Sequence, residues 1–239
     1  MLKCALAYFR ILMVFTGSTI PLWGILKQDD ALLEADVVAR LTTLREFVPQ
    51  KHYRWHIRWS CNGVHQWGTL EGLQQGSAHW ITLTFASGRT LTFNKSHPCV
   101  ALYPNKLCLI KPNAFTKPLQ DLPGVCIHTI AMPFLNWGIE SCSKTAKLGR
   151  RAIRVLLSEY NLHTKTLRSS DDLRTEIFLD KHFNTILQAK MWDTQSDFHA
   201  SFTLKHLKKF KSGWGLRSAE FTLNHRKTLL YVDEIQILD

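Results

Sequence analysis

The sequence predicts an α+β domain: an antiparallel β-sheet from about residue 52 to 131, packed against an N-terminal helix and C-terminal helices. Three observations carry this expectation. Apolar residues recur at three- and four-residue steps from Leu33 to Val48, apolar and polar residues alternate from Tyr53 to Ser60, and a helix-like spacing returns after Cys142. At 239 residues and 45% hydrophobic content, the chain can bury a sizeable core, and no disordered class fits it.

Residues 1–26 pair a short positive start, Lys3, with the apolar stretch Ile11–Phe15 and the small residues Thr16–Thr19, the outline of a secretory signal. Arg10 splits the apolar run into pieces far shorter than a spanning helix of ~20 residues. A signal, a membrane anchor and an N-terminal element of the domain are therefore competing expectations for 1–26, with a cytoplasmic chain if it is the last of these and an exported or membrane-associated one otherwise. An α+β core domain is expected over 27–195, and a basic extension packed on it over 196–239.

Asp29 and Asp30 can cap a helix whose inward positions are Leu33, Val37, Leu41 and Leu44, stopped by Pro49. Tyr53, Trp55, Ile57 and Trp59 then alternate with Arg54, His56, Arg58 and Ser60, and Asn62-Gly63 supplies a tight hairpin turn into Val64–Leu70. Trp80–Phe85 and Thr90–Phe93 form a second hairpin around Ser87-Gly88, and shorter apolar runs follow at Cys99–Tyr103, Leu107–Ile110 and Val125–Ala131. From Cys142, the stripe Ala146, Gly149, Ile153, Leu156, Tyr160 opposes Lys147, Arg150, Arg151 and Arg154, which reads as an amphipathic helix. Ser169 or Ser170 caps a second helix to about Lys190, with Leu173, Ile177, Phe183, Ile186 and Leu187 inward.

A cysteine becomes a nucleophile as its thiolate, which a helix N-terminus and nearby cations favour. Cys142, at the expected helix start beside Lys144 and Lys147, meets those conditions, and His79 at the head of the strand His79–Phe85 can carry the proton. Asn94 or His97, after the partner strand, can orient the imidazole, and backbone N–H groups at the helix start can hold an oxyanion. The plainer expectation is a small buried thiol and a strand-face histidine.

The order of histidine strand, partner strand Thr90–Phe93 and Ser141-Cys142 leading into Ala146–Leu157 resembles the circularly permuted papain-like superfamily, over about 80 of the 239 residues. That superfamily includes lecithin:retinol acyltransferase-like proteins, permuted cell-wall amidases and desumoylating isopeptidases. Its members commonly carry Asn before the cysteine and an aromatic residue soon after it; Ser141 and Thr145-Ala146 stand here instead. The resemblance implies a cysteine hydrolase or acyltransferase acting on an amide, ester or thioester.

The alternative is a non-enzymatic basic binding protein. Lys and Arg number 30 against 19 Asp and Glu, a formal charge of +11, which favours a polyanion, either nucleic acid or an anionic membrane. The candidate contacts are Arg54, Arg58, Lys147, Arg150, Arg151, Arg154, Lys205, Lys208, Lys209 and Lys211, with Tyr53, Trp55, Trp59 and Trp214 available to stack on bases. His52, His56, Cys61 and His65 are residue types that suit zinc, but His52 and His56 on one strand lie ~13 Å apart, so no metal is expected. No cofactor is expected either, because the chain has no phosphate loop, dinucleotide fingerprint or GxSxG elbow. The six cysteines are expected to be reduced, with bridges among Cys61, Cys99, Cys108 and Cys126 arising only on export.

Overall fold

The computed structural model describes residues 22–46, 52–75, 78–94, 100–103, 106–109, 117–119, 122–158, 160–161, 166–167, 173–193, 197–211 and 213–238. It corrects the expected fold class, because the described residues after the first helix are almost entirely β. Helix α1 (Leu22–Glu46) is followed by β1 (His52–Cys61), β2 (Val64–Gln75), β3 (Ala78–Phe85), β4 (Thr90–Asn94), β5 (Val100–Tyr103) and β6 (Lys106–Leu109). A short helix α2 (Ile127–Ala131) and a 3-10 turn (Pro133–Asn136) come next. The rest is strand: β7 (Gly138–Lys147), β8 (Arg150–Ser158), β9 (Tyr160–Asn161), β10 (Thr166–Leu167), β11 (Leu173–Asp180), β12 (Ile186–Asp193), β13 (His199–Phe210), β14 (Gly213–Leu223) and β15 (Arg226–Ile237).

Thirteen strands form one antiparallel sheet in the order β6-β5-β4-β3-β2-β1-β15-β14-β13-β12-β11-β8-β7, with β9 and β10 paired separately. The join between β1 and β15, which sets Tyr53 opposite Ile237, places residues 199–237 in the middle of the sheet. The chain divides within α1 into two units, Met1–Asp36 and Val37–Asp239, and the second holds every strand. Among the described residues no helix is long and apolar enough to cross a membrane, and residues 1–21 of the expected signal lie outside them.

The two helices expected after Cys142 are hairpins. Leu148 and Gly149 both take positive φ, 51° and 71°, which turns the chain from β7 into β8 rather than winding it. Ile153, Val155 and Leu157 then alternate inward along β8, and Thr175, Ile177 and Leu179 do so along β11. The β-branched Ile153, Val155, Thr175 and Ile177 among them suit a pleated surface better than a helix.

The pairing registers give the sheet one apolar face. Tyr53, Gly72, Ile81 and Phe93 stand in one row across β1–β4, and Val155, Ile177, Ala189, Phe202 and Phe221 in another across β8–β14. Ile127 and Ala131 of α2 pack on Ile81 and Phe93, yet α2 also touches β13. Six strand intervals separate β4 from β13, ~29 Å in a flat sheet at ~4.8 Å per interval, while five helical residues span only ~7.5 Å. The sheet of this unit therefore curls around the segment 122–136 with its apolar face inside. Gly124 fixes the segment to β15: its N–H donates to Thr228 Oγ1 at 3.1 Å.

Val37 and Leu41, one turn apart on α1, are buried, and Arg40 on the same turn donates to the carbonyls of Asp180 and Lys181, both at 3.1 Å.

Candidate functional site

The inner face of β1–β4 is built by alternation. Tyr53, Trp55, Ile57 and Trp59 point inward from β1, and the partner strand answers with glycines. A Cβ at Gly72 would enter the Tyr53 ring; one at Gly68 would come within 2.8 Å of the Trp59 ring and meet the Thr84 carbonyl. Both rings therefore lie over bare β2 backbone. Trp59 meets Phe85 edge-on at 5.7 Å and donates its indole N–H to Gln66 Oε1 at 3.1 Å. Around Ile81, Phe93, Ile127 and Ala131, the side chains of Leu70, Leu91, Leu119 and Ile130 are only partly buried.

One polar corner interrupts this surface. The Tyr53 hydroxyl and His79 Nε2 share a buried hydrogen bond of 3.3 Å, with the rings 5.8 Å apart. Burial pushes the Tyr53 phenol up to about 12, so it stays neutral and remains a donor. Trp55 stands beside it, ring centroids 5.8 Å apart, flanked in register by Leu70 and Ile235.

The outer face is largely polar and many of its charges are paired. Glu71 takes His52 at 2.7 Å and Arg54 at 2.8 Å; the His52 hydrogen bond, partly offset by desolvation and reinforced by Arg54, holds its carboxyl below the usual range. Asp233 takes Arg217 at 3.2 Å and Arg58 at 3.4 Å. Glu176 lies between Arg154 and Lys190, where desolvation raises its carboxyl but the two cations outweigh it and the net direction is down. Asp180 accepts the N–H groups of His182 and Phe183 and pairs with Arg150 at 3.1 Å; these again overcome desolvation.

The predicted catalytic residues do not make the expected site. Cys142 is mid-strand on β7, opposite Val155, so no helix N-terminus lies behind it. His79 is on β3, nine positions away in the strand order, and engages Tyr53. Asn94 is buried at the end of β4 opposite Trp80, and His97 lies outside the described residues. Cys61, Cys126 and Cys142 are not in disulfides; Cys4 and Cys99 are outside the described residues. His52 is spent on Glu71, and among the described residues no three His, Cys, Asp or Glu side chains are placed to hold a metal ion.

The basic candidates are dispersed over β1, β7–β8 and β13. Arg54, Arg58, Arg150 and Arg154 are tied to carboxylates as above, and Lys205 pairs with Glu220 at 3.3 Å. Lys147 covers the Phe178 ring at 4.6 Å and Lys208 the Phe210 ring at 5.5 Å; Arg151, Lys209 and Lys211 are exposed. Tyr53 and Trp59, expected to stack on bases, are 5% and 1% exposed and belong to the interior.

No protein-family model and no curated protein sequence matches the chain. Solved structures do resemble it. A domain from Vibrio parahaemolyticus assigned to outer membrane lipoprotein sorting is 9% identical with TM-score 0.59, covering 83% of this chain and 90% of that one. A DUF1329 family protein from Desulfovibrio piger is 8% identical with TM-score 0.62, covering 84% and 90%. A LolA superfamily protein from Nitrosomonas europaea is 10% identical with TM-score 0.58, covering 86% and 93%. The fold is LolA-like. That finding overturns the papain-like resemblance and the cysteine hydrolase or acyltransferase drawn from it, since the strand-then-helix framework it needs is absent. It leaves the polyanion reading, whether nucleic acid or anionic membrane, without support as well, because the cations it needs are dispersed and mostly engaged.

What sequence reasoning missed is the inner face itself. Its one local signal was the inward aromatic row on β1 set against glycines four residues apart, Gly68 and Gly72, on β2.

Proposed function

We propose that the chain is an exported binding protein that shields the acyl chains of a lipid-modified protein on the inner face of its curled sheet. The observation that supports this is the partly buried apolar surface of Leu70, Leu91, Leu119 and Ile130 around Ile81 and Phe93, in a fold shared with a domain assigned to outer membrane lipoprotein sorting. Each CH2 hidden from water contributes ~0.8 kcal/mol, so an acyl chain crossing an aqueous compartment needs such a surface. None of the described inward positions of β1–β4 is Lys, Arg, Asp or Glu. Export fits the same reading, with residues 1–26 as the address.

The test is saturable binding of an environment-sensitive naphthylamine dye, displaced by a palmitoylated peptide and not by the same peptide without the acyl group. Ile130→Glu and Leu70→Glu should weaken displacement at least tenfold while thermal unfolding remains cooperative. Absence of displacement, or displacement indifferent to both substitutions, refutes the proposal.

A further inference from the structure

The polar side chains of the inner face of β1 differ in how they are satisfied. Trp59 Nε1 donates to Gln66 and the Tyr53 hydroxyl bonds His79, but Trp55 Nε1 is buried with no acceptor among the described residues. Its register neighbours, Leu70 and Ile235, have no side-chain acceptor to offer. A buried donor left unpaired is unfavourable, and phenylalanine or leucine would fill the same apolar space without that penalty. Thr175 Oγ1 is also unpaired, on the inner side of β11, but that whole residue is sealed at 0% exposure between Leu157 and Met191. Trp55 as a whole is only partly buried, next to the half-buried surface, so a bound molecule that displaces the side chains covering Nε1 can reach it.

Resting on the inner-face reading above, we propose that Trp55 Nε1–H donates to the carbonyl oxygen at the head of the bound acyl chain, so that the site prefers ester- and amide-linked chains to ether-linked ones. A carbonyl accepts and has nothing to donate, which matches a lone N–H. A carboxylate is the poorer match, since no Lys or Arg occupies the described inward positions of β1–β4.

The experiment uses two matched lipids, 1-monopalmitoylglycerol and 1-O-hexadecylglycerol, which differ in the carbonyl. The full chain should bind the ester roughly five- to tenfold more tightly, the size of one neutral hydrogen bond. Trp55→Phe should abolish that preference, with any loss of ring contact falling on both lipids alike. In the unsubstituted protein, the Trp55 indole proton resonance should move downfield with the ester and not with the ether, a readout that needs no variant to fold. Equal affinity for the two lipids, or a preference that survives Trp55→Phe, overturns the hydrogen bond and leaves the lipid-binding face standing. Binding of neither lipid overturns the face and this inference with it.

Discussion

Gly124→Ala probes the point where the inner segment is fixed to the sheet. A Cβ built there lies 2.7 Å from both the amide nitrogen and Oγ1 of Thr228, and 2.9 Å from the Arg226 carbonyl. Carbon contacts are comfortable near ~3.5 Å, so the segment must withdraw by roughly 0.8 Å. That movement would stretch the bond from Gly124 N–H to Thr228 Oγ1 from 3.1 Å to about 3.9 Å, past useful range. Forcing an extra methyl into a packed site costs about 1–3 kcal/mol and orphaning a buried donor a further ~1–3 kcal/mol, so a loss of about 2–6 kcal/mol is expected. Thr228, 0% exposed, supplies the control, since Thr228→Val removes the acceptor without adding bulk on the segment and should cost about 1–3 kcal/mol. Because both substitutions break one bond, their effects should add to less than their sum. Urea unfolding with an unchanged slope measures all three variants. Should Gly124→Ala fall within about 0.5 kcal/mol of the unsubstituted chain, the tight approach of segment and β15 is wrong.

Three further outcomes follow from groups in the sheet. The carboxyls of Glu71, Glu176 and Asp180 all bind protons more weakly folded than unfolded; their contribution is complete above about pH 4.5, the ordinary glutamate value, and is lost as pH falls through their lowered folded values. The urea midpoint should therefore drop on acidification, and Glu176→Gln should shrink the drop; an unchanged pH slope would refute the pairing with Arg154 and Lys190. Tyr53 holds its proton to about 12 against an ordinary 10, so stability it contributes is complete below pH 10 and fades towards 12, and phenolate absorbance should show one late-titrating tyrosine that disappears in Tyr53→Phe. Cys126 is 0% exposed and its thiol is pushed up by burial, so a thiol reagent should label Cys61 and Cys142 in the native protein and reach Cys126 only on unfolding; early labelling of Cys126 would mean that the inner segment opens readily.

The parts of the fold that were legible in the sequence are those fixed by neighbours along the chain. Asn62 and Gly63 both take positive φ, 50° and 79°, which is what an Asn-Gly hairpin requires, and the alternation from Tyr53 to Trp59 survives because its outward residues remain polar. Strand β11 hides its period because its outward positions are also covered. Phe178 points outward yet is only 7% exposed, with the Lys147 and Lys190 ammonium groups at 4.6 and 5.9 Å over its ring; Glu176 is buried between Arg154 and Lys190. When both faces carry buried residues, period two dissolves and chance three- and four-residue spacings remain. The helix expected behind Cys142 is instead the β7–β8 hairpin.

The inner face was harder to read, because what defines it is pairing at long range. Tyr53 opposite Ile237 joins residues 184 positions apart, and nothing in the local pattern of Arg226–Ile237 distinguishes a central strand from an edge one. Yet that pairing decides the site. It inserts β15, β14 and β13 between β1 and β12, and so places the apolar row of β1 inside a long sheet rather than on one side of a hairpin. Trp55 is an ordinary strand tryptophan until that pairing is made. Only then does its indole N–H face an interior with no acceptor among the described residues, so the residue that best discriminates among ligands owes its role to a pairing between distant parts of the chain.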